Sequence, residues 1–246
     1  MAEVLEGRRA SRYVRGVWSM ASDPLPLFPL NTVLFPRMPL RLKVFEDRYK
    51  LMIGRCLDEE KPFGVVLIRE GSEVGPPAKP EMVGTLARIL AVQDLPDGNM
   101  NLLAEGTRRF RLLDYATEAE PYLVGMSEPV CDCDADSAAT ETAKEESVRL
   151  FHEYFNELVS HAGVTMPSYE LPDDPEEFSF VLAAVLQAEP HVRQDLLELT
   201  DTIERLTRER SMLERDLARI RKLAKFRAVR AERVPAEKGK PYFSPN

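Results

Sequence analysis

The apolar positions of this chain change period once. From Leu25 to Val130 they come in short runs or alternate with polar residues, and from Val148 onward they recur at steps of three and four. Alternation marks half-buried strands and the longer step marks helices packed by one face. The pattern therefore predicts a strand-rich half followed by a helical half. In the opening run, Asp23 to Tyr49, the prolines Pro26, Pro29, Pro36 and Pro39 interrupt an apolar stretch. Proline fixes φ, removes a donor and pushes its predecessor extended. The run reads as short strands joined by bends, with Leu25, Leu27, Leu30, Val33, Leu34 and Phe35 buried. Leu40–Val44 alternates apolar and basic residues, a half-buried strand, and Phe45–Glu60 carries a helical period.

Pro62–Glu70 (PFGVVLIRE) reads as a buried strand, and the Gly/Pro-rich stretch Glu70–Glu81 as a polar loop. Residues 82–115 then read as strand, turn, strand, strand. Pro96-Asp97-Gly98-Asn99 supplies the hairpin turn, and Gly106 marks a second bend or bulge. Pro121–Val130 is a closing strand. Short sequential strands with one inserted helix suggest a small twisted, barrel-like sheet. Cys131–Glu146 is acidic and lacks large apolar residues, as a linker would. Beyond it, Asp174, Pro175 and Glu177 form a helix start, Phe178–Ala188 is apolar nearly all round, and Glu189–Leu199 makes a further short helix. Ile203, Leu206, Leu213, Leu217, Ile220 and Ala224 form an interrupted heptad seam, with Arg210 at one seam position. That seam serves either self-packing or pairing with a second chain. The predicted organisation is a disordered extension over 1–23, a β subdomain over 24–130, an acidic linker over 131–146, a helical subdomain over 147–232 and a disordered tail over 233–246.

Charge divides the same way. The net charge is −8, but residues 201–246 hold 13 Lys/Arg against 7 Asp/Glu, so the body is acidic and the tail basic. An acidic body argues against a general nucleic-acid surface, because phosphate neutralisation dominates such binding. Three cysteines are too few for a disulfide framework and fit a reducing compartment. The longest uncharged stretches fall short of the roughly 20 residues a membrane span needs, so a cytoplasmic location is expected. Arg8, Arg9, Arg12 and Arg15 faintly resemble a transit peptide, against which stand Glu3 and Glu6; Met20 is an alternative start.

No motif carries catalysis. Cys131-Asp132-Cys133 is a weak metal or redox corner without a second pair of ligands, and reads as an incidental part of the linker. His152 and His161 lie nine residues apart on one helix and point to opposite sides; His191 falls at a helix start. No cofactor or metal is expected. Paired carboxylates such as Glu59-Glu60 and Asp173-Asp174 sit at helix ends, where solvation explains them. The basic stripe Arg219, Arg221, Lys222, Lys225, Arg227 and Arg230 reads as a solvated helix face, with an RNA contact as the alternative.

Four segments, in this order and spacing, resemble the amino-terminal substrate-binding domain of Lon proteases. They are LPLFPL…VLFP…PL with FEDRY, then PFGVVLIRE, then residues 83–113 (VGTLARIL…LPDG…GTRRFRLL), then residues 187–214 (…QDLLELTDTIERL…). The resemblance covers about residues 25–225. It implies an α+β fold, a six-stranded barrel-type sheet of the PUA kind followed by a helical bundle ending in a long helix. A full Lon protease also needs a phosphate-cradling GxxxxGK[ST] loop and a Ser/Lys protease part. Neither is present in these 246 residues, so the expected object is a free-standing, non-enzymatic recognition domain.

Its expected partners are unfolded or partly unfolded polypeptides and a separate ATPase or protease. A second copy, paired through the helix over 201–230, is a further expected partner. Clients would be held by burial of their apolar side chains and by strand addition at an open edge. Apolar, adaptable residues in loops are the candidates for that surface: Phe35, Pro36 and Met38 between the first strands, and Met100 at the hairpin. Core or loop packing is the alternative reading of each.

Overall fold

The computed structural model describes residues 24–76, 78–116, 120–133, 137–162 and 170–233. The extension over 1–23 lies outside them, as does the tail beyond residue 233. The elements are β1 (Leu25–Leu30), β2 (Pro39–Val44), α1 (Asp47–Asp58), β3 (Phe63–Glu70), β4 (Lys79–Asp94), β5 (Met100–Ala116) and β6 (Leu123–Pro129). Then follow α2 (Ala138–Ala162), α3 (Pro175–Val185), α4 (Pro190–Glu198) and α5 (Thr202–Arg233). The fold is α+β, strands first and helices after, as the change of period predicts.

The sheet runs β2-β5-β4-β3-β1-β6, and β6 pairs in addition with β5. The pairings β5-β4-β3-β1-β6-β5 therefore form a closed ring. The length of β5 makes this possible. Its first part, Met100–Glu105, pairs with β2, and its last part, Phe110–Ala116, pairs with β6. One strand thus serves two neighbours on the same side in succession, and β2 stands outside the ring.

The bend expected at Gly106 does not end a strand. β5 runs through it, and the register slips beside it, from Thr85↔Arg109 to Ala87↔Gly106. Gly106 is needed because another segment crosses there: a Cβ on it would lie 2.2 Å from the Phe35 carbonyl oxygen. That crossing is pinned by Arg37 N–H donating to Gly106 O (2.8 Å) and Gly106 N–H donating to Met38 O (3.0 Å).

Helix α2 begins within the stretch read as linker. Ser137 caps it, its Oγ accepting from Thr140 N–H at 3.1 Å. Helix α3 starts where the sequence placed it, with Asp174 Oδ1 accepting from Glu177 N–H at 2.7 Å and Pro175 following the cap.

Two apolar clusters fill the sheet half. One packs α1, through Tyr49, Met52 and Ile53, on Phe28, Phe63 and Leu102; the other holds Leu27, Val66, Leu86, Phe110 and Leu112. A third joins the halves, with Val33, Phe35, Leu67 and Val83 of the sheet side meeting Phe178 and Phe180 of α3 and Leu213 of α5. The heptad seam of α5 is used here: Leu206, Leu213 and Leu217 are buried within this chain against the other helices. Self-packing is thus what the structure shows as far as Lys222.

Candidate polypeptide-binding surface

The four residues singled out from the sequence do not form a surface. Phe35 is 0% exposed, stacks on Phe180 with centroids 6.4 Å apart, and has the Arg193 guanidinium 4.9 Å from its ring. Pro36 is buried beside it. Met38 is half-buried and packs on two of the clusters. Met100 is half-buried against the α1 cluster, six residues along β5 from Gly106, roughly 20 Å away at strand rise. Packing accounts for all four. Apolar residues beside prolines looked like adaptable loop, but the loop is held between sheet and helices.

The junction also holds a charged cluster that no sequence motif signals. Asp132 has a fully buried side chain and pairs with Arg109 of β5 and Arg205 of α5, both themselves buried. Thr202 Oγ1 donates to the same carboxylate at 2.5 Å. Arg109 also donates to the carbonyls of Leu197 (2.8 Å) and Leu199 (2.5 Å), and both guanidiniums lie over Phe180. The Cys131–Cys133 step is therefore no incidental linker. Cys133 N–H donates to Thr200 O at 2.7 Å, and the two thiols point outward and free while Asp132 turns in. Burial pulls the Arg109 pKa down, and burial with the Asp132 charge pushes Glu176 up. Beside the cluster a groove of about 480 Å³ opens between sheet and helices. Its walls mix Pro36, Val130 and Phe180 with Arg37, Arg108 and Glu177, and Arg37 bridges to Glu177 at 2.8 Å.

The apolar surface open to solvent lies elsewhere, around β2. Among the described residues this strand hydrogen-bonds to β5 alone, so every second residue directs its N–H and C=O away from the sheet. The alternation legible in Leu40–Val44 sets its two faces. Leu40 and Val44 are buried and Leu42 half-buried on the core side, while Arg41 and Lys43 are exposed. On the outer face the register sets Arg41 opposite Leu103 and Lys43 opposite Asn101. A groove of about 400 Å³ runs over β2, β5 and β4 there, lined on this face by Ala91, Gln93, Asn101 and Leu103 with Arg41 and Lys43 at its side. Beyond the free edge a narrower groove of about 80 Å³ is lined by Phe28, Leu30, Leu42, Val44 and Tyr49. Phe45 and Val74 stand at its mouth, 50% and 56% exposed. Both carry a signal in the sequence: Phe45 is an aromatic at a strand–helix boundary, and Val74 is the lone large apolar residue of a Gly/Pro loop.

Within the basic stripe on α5, Arg221 pairs with Glu153 (3.4 Å) and Glu157 (3.1 Å) of α2, and the seam residue Arg210 pairs with Glu146 of the same helix. Among the described residues, no cluster of three or more His, Cys, Asp or Glu is placed to hold a metal, and no helix is long and apolar enough to cross a membrane.

A closed mixed sheet with β2 outside the ring and a helical bundle packed against it is the class of α+β domain this chain forms. A sequence model of the ATP-dependent protease La (Lon) substrate-binding domain matches residues 24–215. The chain belongs to that family. The Lon protease of Cytophaga hutchinsonii is 26% identical over 202 residues, 78% of this chain and 24% of that protein. The Lon protease of Escherichia coli K12 is 26% identical over 195 residues, again 78% of this chain and 25% of that one. The chain thus spans about a quarter of the length of such relatives. Among solved structures, the Lon N-terminal domain protein from Xanthomonas campestris aligns with a TM-score of 0.55 at 28% identity, over 76% of this chain and 96% of that one. The N-terminal domain of the Mycobacterium avium complex Lon protease aligns with the same TM-score at 18% identity and supports the fold alone.

Proposed function

We propose that this protein is a non-enzymatic polypeptide-recognition module that binds exposed apolar segments of client proteins around β2, in a quality-control or adaptor role. The observation that carries the reading is the free edge of β2, lying between two grooves and flanked by exposed Phe45 and Val74. Family membership over residues 24–215 supports it, since that domain is the substrate-binding part of the Lon proteases. The mechanism is reversible: client side chains leave water against Phe45, Val74 and the groove beneath them, and client backbone pairs with β2. Burying one large apolar side chain contributes about 1.5–3 kcal/mol before association costs. Two or three such contacts give weak, releasable binding, suited to a module that hands clients to a separate protease or ATPase in the cytoplasm. The RNA reading is less supported, because Arg221 of the basic stripe is already paired with α2 carboxylates and the body of the chain is acidic.

The test is binding to a panel of unfolded proteins and extended apolar peptides, measured by fluorescence anisotropy. The double variant Phe45→Ser, Val74→Ser is expected to weaken binding about tenfold with an unchanged melting temperature. Absence of binding to the whole panel by the parent protein refutes the reading.

A further inference from the structure

We infer that the client segment is an extended strand in which carboxylates alternate with apolar residues, added to the free edge of β2. The inference rests on the proposal that the β2 region takes polypeptide, and it assigns the chemistry of the segment bound there.

Register carries the argument. A strand added to an edge sets its side chains alternately on the two faces of the sheet, each beside its cross-strand neighbour. On the outer face β2 offers Arg41 and Lys43, and these are the charged residues lining the groove above it. Lys43 has only a loose contact with Asp97, 4.0 Å between exposed groups. On the other face β2 offers Leu42 and Val44, and the groove beyond the edge continues with Phe28, Leu30 and Tyr49 under Phe45 and Val74; its two carboxylates are already engaged within the chain, Glu73 accepting from Asn31 N–H at 2.6 Å and Glu46 pairing with Arg48 at 2.9 Å. An incoming strand thus meets cations at one set of alternate positions and hydrocarbon at the other. The matching pattern is acid–apolar–acid–apolar.

The same charges disfavour a second copy of the chain as the occupant. Two β2 edges paired antiparallel about Leu42 would set Arg41 against Lys43 twice, like charges at cross-strand distance, which is unfavourable. Lysine and arginine on an edge are a common guard against such self-pairing. At β2 they also specify who is admitted.

The experiment compares three labelled heptapeptides in an extended host sequence by fluorescence anisotropy at low salt. One alternates Asp with Val, one alternates Lys with Val, and one alternates Ser with Val. The acidic peptide is expected to bind about tenfold more tightly than the serine peptide, since two rim pairs each contribute modestly, and the lysine peptide more weakly than either. Its advantage should shrink as salt rises. The Arg41→Glu, Lys43→Glu variant, checked for an unchanged circular dichroism spectrum and melting temperature, is expected to reverse the order of acidic and basic peptides. N-methylation of alternate backbone nitrogens on the pairing side of the acidic peptide should abolish binding. Equal affinities for the three peptides, or full binding of the N-methylated peptide, would overturn the inference while leaving apolar recognition at β2 intact. Failure of all three peptides, with binding of other unfolded proteins retained, overturns it too. Failure of every polypeptide overturns the broader reading as well.

Discussion

Glu209 sits in an environment that its residue type rarely occupies. It sits on α5 with a fully buried side chain, and neither carboxylate oxygen has a hydrogen-bond partner among the described residues. Burial pushes its pKa well above the ordinary carboxylate range, a rise that the neighbouring Arg205 only partly offsets. The folded state therefore holds this proton at pH values where the unfolded chain has lost it. Such a group favours folding most below its unfolded pKa, roughly 4.3, and that contribution is lost as pH rises toward the folded value. Glutamine in its place cannot titrate. The Glu209→Gln variant should gain in melting temperature relative to the parent as pH is raised from about 4 to 8, by the equivalent of about 1–3 kcal/mol. Parallel melting curves across that range would show that Glu209 does not titrate on unfolding. Cys56 is the thiol counterpart. Burial pushes it up to about 12, whereas Cys131 and Cys133 are exposed.

At the scale of elements, the sheet depends on one strand doing two jobs. β5 pairs with β2 through its first part and with β6 through its last, and the changeover falls beside Gly106. A side chain at that position meets the backbone of Phe35, which no rotamer change relieves. Gly106→Ala is expected to cost about 1–3 kcal/mol, as overpacking does. Urea unfolding measures it, and a loss below about 0.5 kcal/mol would mean the crossing segment yields freely. A glycine inside a strand signals a bulge or a close approach. The sequence showed the glycine but could not say which backbone approaches it.

At the scale of the molecule, the two halves are locked by the Arg109–Asp132–Arg205 cluster and by the apolar seam between Phe35 and Phe180. Asp132 is shared, so its loss leaves two buried guanidiniums with one carboxylate fewer between them. Removing one partner of a buried ion pair costs about 3–5 kcal/mol. Asp132→Ala should lower stability by that order and separate the unfolding of sheet and helices, seen as non-coincident circular dichroism and fluorescence transitions. One coincident transition with unchanged midpoint would show that the apolar seam alone joins the halves. Exposed Phe45 and Val74 stand away from this junction on the far groove. The proposed client surface and the lock between halves therefore share none of these residues.

The period of apolar residues was enough to place strands before helices and to show the alternation of β2, while turn and capping residues placed the hairpin at Pro96–Asn99 and the cap at Asp174. Each of these follows from steric and hydrogen-bonding rules that act within a few residues. The closing of the sheet through β5 and β6, the inward turn of Asp132 and the burial of Phe35 through Met38 were decided only by the tertiary structure. Each depends on which distant segment arrives alongside, and a residue's own neighbours in sequence carry no record of that. The same holds for the β2 surface: its alternating side chains were written locally, but its freedom from a second neighbour is a property of the whole sheet.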